Sequence, residues 1–424
     1  MQSKKNFRNL ISRTILRAAT AALAITMTFA LTVALTQSAQ AQTFKVIYNF
    51  TGGADGGYPS GLTIDKAGNF YGTTIFWAEP YCGAVFTLAK WKSGWLFDTL
   101  HGFAGGSDGC SPYAPLTIGP DGSLYGTTWG GGNGCPGGCG TVFKVTVPAS
   151  PCRNAFCSWK ETVVYDFTGG NDGASPATGG LIFDQAGNIY GTAHSGGYYG
   201  GGCAFGGCGT VFQLTPNPQG SWTENTLHVF MGSPDGSTPY NAVILDEQGN
   251  IYGPTSLGGS YGYGTIFQLT PSGPGWTETM LYNFTGGSDG GQPFVDLIMD
   301  QAGNLYGAAG AVLFELSPSS GGWTFSVVYT LTGGSADGLA MDGAGNIYGT
   351  ATGGAHGCGF VFELSPLDGG WAYSDLHDFT CSDGHNPGGR PALDATGKLY
   401  GTTVYGGTGL ACQYGCGTVW EITP

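Results

Sequence analysis

DQAGNIYGT, residues 184–192, decides the fold because it does not occur only once. DKAGNFYGT begins at Asp65, DEQGNIYGP at Asp246, DQAGNLYGA at Asp300, DGAGNIYGT at Asp342 and DATGKLYGT at Asp394, with a looser GPDGSLYGT from Gly119. Aligned on the Tyr-Gly pair, Tyr71, Tyr125, Tyr190, Tyr252, Tyr306, Tyr348 and Tyr400 fall in register. The unit has the chemistry of a hairpin. Its Asp accepts hydrogen bonds from turn amides, and the Gly three residues on supplies positive φ. The Tyr is expected to pack between repeats, and the Gly after it permits close backbone approach. In the looser copy, Asp121 is expected to serve the turn. A catalytic group is needed once, so faithful recurrence on equivalent hairpins reads as scaffold.

Three more pieces surround each copy. A short apolar run precedes it, as in GLTID (61–65) and LIFD (181–184). GTVFQLTP (209–216) follows, matched by GTVFKVT (140–146), GTIFQLTP (264–271) and GTVWEITP (417–424). Last comes WTETMLYNF (276–284), matched by WKETVVYDF (159–167) and WAYSDLHDF (371–379). Alternating apolar and polar residues, many aromatic and β-branched side chains and Gly-rich connections predict antiparallel strands joined by hairpins. Four such strands repeated about every 40–65 residues predict an all-β fold, a β-propeller. FKVIYNF (44–50) is a fourth strand with no earlier three, and the terminal GTVWEITP is a third strand with no fourth. The N-terminal strand is therefore expected to complete the last blade and close a seven-bladed ring of four-stranded antiparallel blades, which hides its edges.

The first 41 residues stand apart. Lys4, Lys5, Arg8, Arg13 and Arg17 precede the apolar run AALAITMTFALTVAL and a small-x-small site at Ala39-Gln40-Ala41. This reads as a signal peptide over 1–41, with the propeller domain over 42–424 and no membrane insertion after cleavage. Without the five leader cations, 9 Lys and Arg of the 14 remain against 28 Asp and Glu, a net charge of −19. That balance argues against nucleic acid as a partner and suits a secreted, periplasmic or extracellular protein, expected to be a monomer.

The combination P-x-x-x-L-x-x-D-x-x-G-N-[LI]-Y-G-T, followed by G-T-V-F-x-L-T-P, resembles the GloVer tandem-repeat family of exported bacterial proteins, called choice-of-anchor because members differ in their C-terminal anchor. The resemblance covers the mature chain. It implies secretion and a propeller-like repeat, and it carries no activity with it. The sequence given ends at Pro424 without a sorting signal, a departure from the family pattern that leaves surface attachment open.

Twelve Cys in an exported chain read as disulfides. Three local pairs precede third strands: Cys135 with Cys139, Cys203 with Cys208 and Cys412 with Cys416. Cys152 and Cys157 form a fourth local pair, between a third and a fourth strand. Cys82 and Cys358 lie between second and third strands; Cys110 and Cys381 lie on the way to the next blade. Those two loop types share one face of a propeller, which predicts Cys82–Cys110 and Cys358–Cys381. Zinc ligation is the rival reading, and a matching His pattern is lacking.

The loops of that face are where function is sought. One family reads GG-x-DG-x-x-P, with Asp55, Asp108, Asp172, Asp235, Asp289 and Asp383 four residues before a Pro and Asp337 without one. These are turn residues or, as a ring, calcium ligands; no other cofactor is expected. The other family joins second and third strands, and from Tyr to the next strand's Phe or Trp it spans 8 to 22 residues. It carries Trp77, Tyr81, Trp129, Tyr198, Tyr199, Tyr405 and Tyr414, aromatics suited to stacking on sugar rings or to covering their own blades. His101, His228 and His377 replace a strand Tyr and read as packing residues. His194, His356 and His385 are loop candidates. Asp383, His385 and Arg390, together with Glu79, are the catalytic candidates. The expected function is non-catalytic binding of carbohydrate or a cell-surface glycan. A polysaccharide lyase or glycoside hydrolase is the alternative, and a platform for a cell-surface protein a third reading.

Overall fold

The computed structural model describes residues 42–76, 82–92, 94–146, 159–176, 178–203 and 206–424. The leader, Trp77, Glu79, Tyr81, Cys152 and Cys157 lie outside the described residues. Phe44–Thr423 form one unit, a seven-bladed β-propeller. In blade one the strands are Gly57–Ile64, Phe70–Phe76, Ala84–Trp91 and Gly94–Gly102, hydrogen-bonded in that order. Blades two to six repeat this order from Thr117 to Asp378. Blade seven is built from His385–Leu393, Leu399–Tyr405 and Thr418–Thr423, and the N-terminal Thr43–Asn49 pairs with the last of these. The ring therefore closes as the orphan strands predict. Apolar packing closes it too: Phe50, Phe70 and Phe86 share a core cluster with Tyr400 and Val419 of blade seven.

The local reason for each blade is visible in 184–192. Asp184 Oδ1 accepts from the amides of Ala186 and Asn188, both at 2.9 Å, and Oδ2 accepts from Asn188 Nδ2 at 2.7 Å. Gly187 closes the turn with φ of +83°, where a side chain would be strained. The hydroxyl of Tyr190 also donates to Asp184 Oδ2, at 3.0 Å. The same Tyr-to-Asp bond forms in every blade at 2.9–3.3 Å, with Asp121 serving the looser copy. The sequence alone assigns this Tyr to packing, and the bond to the turn is an added role. Its ring does pack across the blade boundary, as Tyr125 on Trp222 and Tyr306 on Trp371 show.

The Gly after the Tyr has a second task. Gly191 pairs with Phe212 of the third strand, and a Cβ on Gly191 would lie 2.6 Å from the Phe212 ring. Phe212 is wholly buried, with the tip of its ring packed over that bare backbone. The other six blades repeat the pair, with Trp420 replacing Phe over Gly401 in blade seven. Y-G and the F of G-T-V-F are thus two halves of one cross-strand contact.

Five of the six expected disulfides are present: Cys82–Cys110, Cys135–Cys139, Cys203–Cys208, Cys358–Cys381 and Cys412–Cys416. The sixth, between Cys152 and Cys157, falls in 147–158, outside the described residues. No described cysteine is free. Cys82–Cys110 and Cys358–Cys381 each tie a loop between second and third strands to the loop entering the next blade.

Because Asp184 organises one hairpin through several bonds to a carboxylate, Asp184→Ala should lower unfolding free energy by about 2 kcal/mol. Urea denaturation checks this, and a loss below about 0.5 kcal/mol would show that the turn forms without its Asp.

Candidate functional site

Each first strand enters the ring through a short bend. The residue before the bend's Pro is left-handed in six blades, at Tyr58, Ser111, Ser175, Thr238, Gln292 and Asn386. Its amide donates across the blade boundary to a carbonyl just ahead of the preceding blade's third strand, as from Ser111 to Cys82 and from Thr238 to Cys208. The residue after the Pro is thereby carried to the mouth of the axial channel. Three of these are aromatic: Tyr113, Tyr240 and Phe294.

The mouth is a cavity of ≈ 530 Å³ whose wall includes Tyr113, Tyr240, Phe294 and Tyr405. Tyr240 makes edge contact with Phe294 at 5.8 Å, and Trp129 backs the wall, 6.0 Å from Tyr113 and 5.9 Å from Tyr240. His194, on the second strand of blade three, packs 4.6 Å from Trp129, and burial pulls it down to about 4, so it is neutral at pH 7. Across the mouth Tyr405 gathers Tyr58, His385 and Tyr414 at 5.2, 5.6 and 6.4 Å.

Below the aromatic wall the cavity carries Asn241, Asn386, Asp337, Asp296 and Arg390. Asp296 and Arg390 also line a second chamber of ≈ 460 Å³, walled by first strands from all seven blades, so they mark the neck between the two. Counted back four residues from each turn's first position, the equivalents are Gly61, Pro115, Gly180, Ala242, Asp296, Gly338 and Arg390. The neck is thus lined by small or apolar residues except for one carboxylate and one guanidinium. Asp296 Oδ1 accepts from the Ala242 amide at 2.8 Å. Burial pushes Asp296 up, while the Ala242 amide and the Arg390 charge pull it back. Burial pushes Asp337 up to about 7.

The candidates from sequence fall in different places. Trp129 and Tyr405 belong to the mouth, and Tyr414 touches Tyr405. Tyr198 and Tyr199 are exposed on the loop of blade three, where the Tyr199 hydroxyl donates to the Gly169 carbonyl. His356 is exposed in the loop of blade six. Asp383 accepts from the Thr380 amide at 2.8 Å and lies 3.1 Å from His377 Nε2. His385 stands at the rim and Arg390 at the neck, and among the described residues no hydrogen bond or ion pair joins Asp383, His385 and Arg390. Asp55, Asp172 and Asp289 each take a Tyr hydroxyl of the preceding outer strand at 3.0 Å and cap their own turn. Asp108 and Asp235 do likewise beside His101 and His228. Asp337 leaves this set because its blade lacks the Pro bend, which puts it in the channel.

The Gloeobacter/Verrucomicrobia repeat matches residues 32–205 and 204–312. The chain belongs to that family. No curated protein sequence matches it. Its fold is similar to that of a catalytically inactive virginiamycin B lyase from Staphylococcus aureus crystallised with quinupristin, at 14% identity and TM-score 0.56, over 90% of this chain and 99% of that one. It is similar also to the extracellular domain of a one-component system from B. thetaiotaomicron, at 11% identity and TM-score 0.54, over 89% of this chain and 40% of that one. At such identities the likeness is one of fold.

The Asp337 carboxyl gives the site a pH signature. In the folded chain burial raises it to about 7 from an ordinary 3.8, so between these values the folded state holds more protons than the unfolded. Its contribution to stability falls as pH rises through that window. Asp337→Asn should therefore be more stable than the parent chain at pH 8 and close to it at pH 4. Urea titrations at both values check this, and a difference independent of pH would refute it.

Proposed function

We propose that this protein is exported and works as a non-catalytic binding propeller, taking a carbohydrate or cell-surface glycan at the channel mouth. The observation that carries the reading is the aromatic wall of Tyr113, Tyr240 and Phe294 facing Tyr405 above a floor of amide, carboxyl and guanidinium groups. Sugars present apolar ring faces and a rim of hydroxyls, and such a wall and floor complement both. Disulfides suit an oxidising compartment, and among the described residues no helix is long and apolar enough to cross a membrane. The binding reading requires no cofactor.

A glycan array probed with the parent chain and with Tyr240→Ala and Tyr405→Ala tests the proposal. Each truncation should weaken the best ligand about tenfold, the worth of one aromatic contact of about 1.4 kcal/mol. No bound glycan, or binding indifferent to both substitutions, would remove it. A second reading as a polysaccharide lyase or hydrolase is favoured by one observation: Asp337 is an acid held protonated to about 7 in the same cavity as Arg390. Release of products from a polymer, lost in Asp337→Asn while binding persists, would establish that reading instead.

A further inference from the structure

Away from the channel, a contact near the outer edge repeats in register at five of the blade boundaries. At these a Tyr or His of one outer strand meets the turn Asp and stands opposite a residue two places after the Trp of the next outer strand. Where that last residue is aromatic the two rings stack, as Tyr48 does on Phe97 at 5.0 Å and Tyr282 on Phe325 at 4.1 Å. The boundary of blades three and four differs. There His228, Asp235 and Glu278 meet, and Glu278 stands where Phe325 and Phe97 stand elsewhere.

The three side chains are gathered like ligands. His228 Nε2 lies 3.3 Å from Asp235 Oδ2 and 3.7 Å from Glu278 Oε1, and one ligand atom from each residue falls within 4.8 Å of the others. The second separation is too long for a hydrogen bond, and Glu278 Oε1 is wholly buried without one. Atoms bound about 2.1 Å from a tetrahedral Zn²⁺ stand about 3.4 Å from one another, close to the 3.3 and 3.7 Å from His228 Nε2 to the two carboxylates. A buried carboxylate oxygen without a hydrogen-bond partner, set beside an imidazole and a second carboxylate, is a place for a shared proton or a cation. The same residue types recur at the boundary of blades one and two as His101, Asp108 and Glu161, where His101 Nε2 lies 3.5 Å from Asp108 Oδ2 and Glu161 Oε1 is buried without a hydrogen bond. We propose that His228 Nε2, Asp235 and Glu278 bind a divalent transition metal, with Zn²⁺ the best fit, bridging the outer strands of blades three and four. One imidazole and two carboxylates suit such an ion, leaving a fourth position for water.

Untagged, oxidised mature protein, stripped with EDTA, reloaded with ZnCl₂ and desalted, provides the test by elemental analysis. The double variant His228→Tyr/Glu278→Phe copies the stacked boundary of blades four and five, and Glu278→Gln keeps the shape of the native side chain. The parent chain should hold about one equivalent of zinc more than either variant, and zinc should raise its thermal midpoint more than theirs. Equal zinc in folded parent and variants, or no zinc in any, would overturn the assignment and leave a shared proton in its place.

Discussion

One backbone hydrogen bond, made six times, holds the ring in the shape its mouth requires. A residue before proline favours extended backbone, yet Tyr58, Ser111, Ser175, Thr238, Gln292 and Asn386 adopt φ of 50–61°. What holds them is the bond from each amide, at 2.7–2.9 Å, to a carbonyl of the preceding blade. The acceptors are Cys416, Cys82, Cys139, Cys208, Tyr263 and Cys358. Five of these six belong to disulfides, so each bridge braces the segment that presents the carbonyl. Tyr263 supplies bulk instead, its ring lying against Gly286 and Gly291. The disulfides thus brace this face, with Cys82, Cys208, Cys358 and Cys416 themselves buried in the core clusters. The core is already filled by a Phe or Trp lying over the Gly of each Tyr-Gly pair.

This division explains what was legible in the sequence. The hairpin of Asp184, Gly187 and Tyr190 is local, and its residue types state their own geometry. The same holds for ring closure, because FKVIYNF and GTVWEITP are recognisable fragments of a unit seen whole elsewhere. Two bridges, Cys82–Cys110 and Cys358–Cys381, were legible for a related reason: loop position in the repeat specifies which face a Cys occupies. Cys135–Cys139, Cys203–Cys208 and Cys412–Cys416 were legible from close spacing within one loop.

The channel was not legible in that way. Asp296 reads as one more polar residue in FVDLIMD until it is counted from Asp300, and Arg390, singled out in the sequence beside Asp383 and His385, takes its place at the neck only when it is counted from Asp394. Only then do they fall on the level of Gly61, Pro115, Gly180, Ala242 and Gly338. Gly338 shows how little room that level leaves, since a Cβ there would lie 2.3 Å from the Gly389 carbonyl carbon. Asp337 misled for the opposite reason. Its Asp-Gly pair mimics the turn family, but the connection into blade six is short, so the residue falls inside the first strand Ala336–Met341 and faces the cavity. Tyr113, Tyr240 and Phe294 carried a readable signal in the aromatic residue directly after the Pro of DG-x-x-P.

A ring of near-identical blades puts every equivalent side chain at one radius and one height, so chemistry must come from departures. The departures occupy separate levels. At the mouth, aromatics replace small residues after the Pro in three blades; at the neck, a carboxylate and a guanidinium replace small ones; at the outer edge, Glu161, Glu224 and Glu278 replace a stacking ring. The first two share a cavity and can act on one ligand. The third is on outer strands, facing a neighbouring blade rather than the channel. Glu224 shows that the exchange is not one of charge alone: its boundary keeps Tyr165, which donates to Asp172, and its carboxylate takes the Thr226 hydroxyl at 3.0 Å. Where His replaces that Tyr, the hydroxyl donor is gone and an imidazole nitrogen stands beside two carboxyl groups. A His-for-Tyr exchange therefore has a different meaning opposite a Glu than opposite Phe44, on which His377 simply stacks.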